Sequence, residues 1–135
     1  MSKITLSEAG DDNNKVTVEL AVPASWQAGP ADEHNPSWTM DGAKRLALAT
    51  VGPRGSDDAT RVEKAIKMNF DDPATATRAP YPDGRVWVTE QEGANLHARM
   101  FVPYPGGVAM GIALLSDKSK LDSVKAVFET MKIAK

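Results

Sequence analysis

The chain contains no cysteine, which excludes disulfides, thiolate nucleophiles, iron–sulfur clusters and cysteine-ligated zinc while leaving the redox compartment open. It also lacks any apolar stretch near the roughly 18 residues that span a bilayer, and Met1 to Leu6 carry no signal-peptide core. The expectation for the sequence as it stands is a cytoplasmic protein without membrane insertion. The alternative is an exported, periplasmic or cell-surface one whose leader has been removed. Charge of one sign is scarce: 16 basic against 18 acidic residues leave a formal charge of −2. Without a cationic excess, nucleic acid is not an expected partner. The two signs are interspersed, so no basic membrane-seeking helix or acidic tail stands out.

What is present fits one globular domain over residues 1–135, with 1–15 expected to be partly flexible. Apolar residues make up 41% and charged residues 25%, enough of each for a packed core and a solvated surface.

Val16 to Val22 alternate apolar and polar before Pro23 and predict a half-buried strand, with a weaker one at Ile4 to Leu6 and a turn through Gly10 to Asn14. From Pro23 to Gly42 the chain is punctuated by Pro and Gly yet holds Trp26 and Trp38, as a pinned loop would. Leu46 to Val51 fits a strand with Leu46 and Leu48 inward, or an Ala-rich helix; the strand is favoured. Asp57 and Asp58 stand at an N-cap, and Val62, Ala65, Ile66 and Asn69 follow at helical spacing, with Glu63 and Lys67 one turn apart, predicting a helix from Asp58 to Phe70. Asp71 to Gly84, with three prolines, reads as an extended loop.

Val86 to Leu115 then carries three alternating strands, a meander. After it, Leu121, Val124, Val127, Phe128 and Met131 form one face of a helix opened by Ser119 and Asp122. The fold class that follows is α+β, an antiparallel sheet with a C-terminal three-strand meander and helices packed on it.

The register that keeps apolar residues together sets Val88 opposite Ala98 and Val102 opposite Val108. Trp87 then faces Arg99, Thr89 faces His97, Arg85 faces Phe101, and Arg99 lies beside Gly111 on a strand left bare by Ala109 and Ala113. That arrangement makes Trp87, Thr89, His97, Arg99 and Phe101 a candidate binding face for an acidic group, with Trp26 and Trp38 as adjoining candidates. A plainer reading has Trp87 and Arg99 as a surface cation–π pair beneath the Trp-bearing loop.

Other groupings explain themselves without chemistry. Asp32, Glu33 and His34 are adjacent, and neighbours in sequence seldom converge on one ion, so no metal or cofactor is expected. Ser25, Ser37 and Ser56 lack the Gly-x-Ser-x-Gly surround of a hydrolase, and Gly52 to Ser56 lacks the lysine of a phosphate loop. The paired aspartates at 11 and 12, 57 and 58, and 71 and 72 suit turns and caps, and Met68, Met100, Met110 and Met131 suit a core. An enzyme using His97 with Glu90 is disfavoured, because the chosen register separates them across the sheet.

A strand ending Val22-Pro23-x-x-Trp26, a looped middle with a further strand, one helix, a three-strand meander and a last helix ending Phe128-Glu129-Thr130-Met131-Lys132-Ile133 resemble the PsbP-like α/β group. Its members include a photosystem II extrinsic subunit, exported bacterial lipoproteins, a Ran-binding import factor and secretion adaptors. The resemblance implies an α/β sandwich that binds proteins or small ligands without catalysis, and supplies no catalytic residues. The function expected is therefore a non-enzymatic, bacterial, protein-binding accessory or adaptor domain using the exposed sheet face and long loops. The alternative is a carrier of a small acidic or aromatic ligand lodged between the sheet and the Trp-bearing loop.

Overall fold

The computed structural model describes residues 2–30, 32 and 34–134. Alternating sequences pair wherever two residues suffice to turn the chain. β1 (Ser2–Glu8) and β2 (Asp11–Leu20) close on Ala9 and Gly10, and β2 takes β10 (Lys132–Ile133) on its other side, giving a three-stranded sheet. The second sheet has seven strands: β3 (Gln27–Ala28), β4 (Ser37–Met40), β5 (Ala43–Val51), β6 (Thr77–Pro80), β7 (Val86–Glu92), β8 (Asn95–Tyr104) and β9 (Gly107–Leu115). Their spatial order is β3-β4-β5-β9-β8-β7-β6, all neighbours antiparallel. Strands β6 to β9 pair in chain order, so β7, β8 and β9 are the middle of a larger sheet.

Two helices complete the α+β fold. α1 (Asp58–Asn69) is capped by Asp57, whose Oδ1 accepts the amide of Thr60 at 2.7 Å, and it buries Val62, Ala65 and Ile66. α2 (Leu121–Glu129) buries Val124 and Phe128. The large sheet is thus sandwiched. On one side it meets the small sheet and α2, with Leu6, Val18, Leu20, Trp87, Met100, Ala113, Phe128 and Met131 in one core. On the other it meets α1, with Val62, Ile66, Phe70, Val88, Phe101, Met110 and Ile112 in a second. A polar seam joins the sheets at one corner: Tyr104 donates to Asn14 at 3.0 Å and meets Thr50 at 2.6 Å, while Asn14 donates to Glu8 at 2.8 Å.

Several expectations change here. Residues 2–15 are hairpin, with Leu6 fully buried, and the turn is Ala9-Gly10, so Asp11 to Asn14 extend the strand. Two loops contain short strands: β3 and β4 lie within 23–42, and β6 lies within 71–84, because each finds an unpaired sheet edge to satisfy its amides. Glu63 pairs with Arg78 across to β6 at 2.7 Å. Ser119 does not cap α2; Asp117 caps a single tight turn, Lys118–Lys120, that leads into it. The helix ends at Glu129, and Lys132 and Ile133 turn out to be strand, paired with Glu19 and Val18. Met68 is exposed at 64%, on the outer side of α1.

The register is the consequential correction. Both hairpins of the β7 to β9 unit close on two residues, Gly93-Ala94 and Pro105-Gly106, so that Glu92 pairs with Asn95 and Tyr104 with Gly107. The register inferred from apolar matching needs a longer loop at each turn. Two-residue turns match strand twist better, and Gly93 supplies the positive φ of +59°. Every cross-strand pair therefore shifts by one: Val88 faces Arg99, Trp87 faces Met100, Thr89 faces Ala98, Val86 faces Phe101 and Glu90 faces His97.

Candidate functional site

The shift divides the predicted cluster between the two sides of the sheet. Trp87 and Thr89 point toward α2, whereas His97, Arg99 and Phe101 point toward α1. Trp87 is 4% exposed and packs near Phe128, with ring centroids 6.4 Å apart. The row Leu48, Gly111, Met100 and Trp87 runs across the sheet beneath α2. No depression remains at Gly111, because a Cβ there would lie 2.5 Å from the ring of Phe128. Trp26 and Trp38 are buried on this same side, centroids 6.0 Å apart, with Trp26 edge-on to Phe128 at 5.7 Å. These tryptophans pin the 23–42 loop to α2. Phe101 is fully buried beneath α1.

What stays accessible is the part of the α1-side face that α1 does not reach. The helix stops at Asn69, and Phe70 lays its ring on His97 with centroids 4.5 Å apart and planes 24° from parallel. Along β8 Arg99 lies between Phe101 and His97, in a row whose other members, Val88, Ile112 and Ala47, are buried in the α1-side core, and the row after it is Glu90, His97, Leu114 and Arg45. Arg99 Nε donates to His97 Nε2 at 2.9 Å, and its Nη1 approaches Met110 Sδ at 3.6 Å. With Nε2 accepting, the neutral ring carries its proton on Nδ1. That atom is buried without a hydrogen-bond partner among the described residues, and lies 3.9 Å from Glu92 Oε1. Glu90 accepts the amides of Asp71 at 3.3 Å and Asp72 at 2.9 Å, tying the loop after α1 to the β7–β8 hairpin.

Electrostatics sets the protonation of this patch. Burial, then the charge of Arg99, pushes His97 down to about 4, so the ring is neutral near pH 7. Burial, then the neighbouring Arg45, lowers Arg99 to about 10, still cationic near neutrality. Neither Arg99 nor Arg45 has an ion-pair partner among the described residues; Arg45 donates to the neutral Asn35 at 3.0 Å. Two neighbouring guanidiniums, one part-buried and unpaired, are costly unless an anion meets them.

The apolar-matched register missed Glu90, Glu92, Asp71 and Arg45 as members of this patch. The two-residue turn at Gly93-Ala94 was the signal that could have placed Glu90 opposite His97. In the observed register Glu90 and His97 share one face and are not separated by the sheet. Of the adjacent trio, Glu33 lies outside the described residues, and His34 Nδ1 meets Ser7 Oγ at 3.2 Å and the Ser7 carbonyl at 3.1 Å, with Nε2 3.6 Å from Asp12.

No protein-family profile matches the chain, and no curated protein matches it. Solved structures similar to it include the following two. A protein from Bacteroides thetaiotaomicron VPI-5482 has a TM-score of 0.55 and 12% identity over 87% of this chain, which spans 45% of that protein's length. Cyanobacterial PsbP (CyanoP) from Synechocystis sp. PCC 6803 has a TM-score of 0.46 and 13% identity over 98% of this chain and 93% of its own. Among the described residues, no helix is long and apolar enough to cross a membrane. The first similarity is one of fold, and at such identities neither passes on a function.

Proposed function

We propose that this chain is a non-enzymatic accessory or adaptor domain that binds a protein partner through the sheet surface beyond α1, with Arg99 and Arg45 receiving a carboxylate of that partner. The observation that carries this reading is the part-buried guanidinium of Arg99, without an ion-pair partner among the described residues, beside the exposed cation Arg45. A fork of N–H donors already desolvated loses little more water on meeting a carboxylate, so the pair gains affinity and geometric definition together. Trp87, Trp26 and Trp38 leave the candidate surface, since their rings are spent in the core.

The test is affinity capture from the host with native, Arg99→Glu, Arg45→Glu and Lys118→Glu chains, each checked for folding by circular dichroism. Lys118 is exposed on the α2 side and serves as the control. Partners retained by Lys118→Glu should be lost with either arginine variant. Equal capture by a folded Arg45→Glu chain refutes the surface.

The second reading, a carrier of a small acidic or aromatic ligand, draws on an open groove of about 830 Å³ between the Trp-bearing loop and α2. It is lined by Trp26, Met40, Val127 and Lys120 among others. An adduct mass on host-purified protein in native mass spectrometry, lost on Lys120→Glu, would favour it over the first.

A further inference from the structure

We propose that Glu90, Glu92 and His97 form a site for a divalent transition-metal ion, with zinc the matching probe. Strand geometry brings the three together. Glu90 and Glu92 are two apart on β7 and so share a face, and the two-residue turn sets Glu90 directly opposite His97 on β8. One ligand atom from each residue lies within 4.8 Å of the other two. Tetrahedral zinc with bonds of about 2.0–2.1 Å places its ligand atoms roughly 3.3 Å apart. The shell therefore has to contract, and Glu92, part-exposed next to the turn, is free to supply the movement.

A cluster of acids alone would be unremarkable on a protein surface. The second observation is His97 Nδ1, on a ring only 7% exposed, turned toward these carboxylates and without a hydrogen bond among the described residues. Supporting contacts are already in place: Phe70 clamps the ring by stacking, and two backbone amides orient the Glu90 carboxylate. Two carboxylate oxygens and one imidazole nitrogen make three protein ligands and leave a fourth position open, a donor set suited to zinc and to its first-row neighbours.

The Arg99 contact adds a constraint that can be measured. In the metal-free protein Arg99 Nε–H points at Nε2, which holds the ring proton on Nδ1. A metal bound at Nδ1 needs the lone pair there, so the proton moves to Nε2 and the Arg99 donor has to turn away. Arg99 therefore competes with the metal, both by charge and by its hydrogen bond. The inference is independent of the proposed partner surface, since it reads metal uptake by the isolated chain.

The experiment titrates metal-stripped protein with Zn²⁺ by calorimetry and native mass spectrometry, with Mg²⁺ as a second probe. Expected are one zinc per chain, a raised melting temperature, and little response to Mg²⁺. His97→Phe, which keeps a ring against Phe70, and Glu92→Gln should each weaken zinc by about tenfold or more, and Arg99→Met should tighten it by a similar factor. Absence of zinc uptake overturns the proposal. Uptake unchanged in both His97→Phe and Glu92→Gln overturns it too and places any zinc elsewhere, with His34 the next variant to make. Equal binding of Mg²⁺ and Zn²⁺ would mean carboxylates acting without the imidazole, and the site as drawn would be wrong.

Discussion

The two sides of the seven-stranded sheet are built from the same strands, yet one is apolar apart from the Tyr104–Thr50 seam and the strand ends, and the other sets charged groups against its core. Beneath α2 and the small sheet, Leu48, Gly111, Met100 and Trp87 are sealed by Phe128 and by the tryptophans of the 23–42 loop. Beneath α1, Val86, Val88, Phe101, Ile112 and Phe70 pack together, and the same strands carry the part-buried Arg99 among them and Glu90, Glu92 and Arg45 past them. The first side is committed to stability, since every ring there excludes water from its neighbours. The second holds polar groups at a cost in stability, which is where a functional site is to be sought.

The sharpest way to break this comparison is on the sealed side. Phe128→Ala removes the ring that fills the space over Gly111 and should cost about 4 kcal/mol of unfolding free energy in denaturant titrations. A loss well below that would mean the space over Gly111 does not hold the core together. Gly111→Ala should cost about 2 kcal/mol, because its methyl would overlap the same ring. Phe128→Leu in that background should recover part of the loss, and strictly additive effects would show that the two do not touch.

On the open side the effects are smaller. His97 titrates near 4 in the folded chain against 6.5 unfolded, so as pH falls the unfolded chain takes up the proton first. Stability is then complete above about pH 6.5 and declines toward pH 4, by on the order of 2 kcal/mol after allowance for solvent at the patch. Comparing native and His97→Phe chains in metal-free buffer at both ends of that window isolates the contribution, which should vanish in the variant. The smallest effect has the opposite sign: Arg99→Met should stabilise the fold by about 1 kcal/mol, as an unpaired guanidinium gives way to an apolar chain. If it destabilises instead, Arg99 belongs to the structural side of the comparison.

Legibility in the sequence follows the same division. Strands β2, β7 and β8 and helix α1 were visible because each shows a period of two or of 3.6 with turn or cap residues at its ends, whereas β5 also fitted a helix and β9 was marked by the turn before it. Strands β3, β4 and β6 were not, since two to four residues amid prolines carry no period and are strand only where a neighbouring edge receives them. His97 and Arg99 were picked out as a basic pair, correctly side by side on one face, while Trp87 was placed with them although it lies across the sheet.

The amino-acid sequence by itself determined the order of the longer strands and the helices, the cap at Asp57 and which residues on each strand share a face, because those depend on local spacing alone. Only the tertiary structure decided which face meets which partner. Central strands are apolar on both sides, so apolar matching is satisfied almost equally by two registers one residue apart, and the choice between them falls to the turns and to what packs over Gly111. That single step moved Trp87 into the core and set Glu90 against His97.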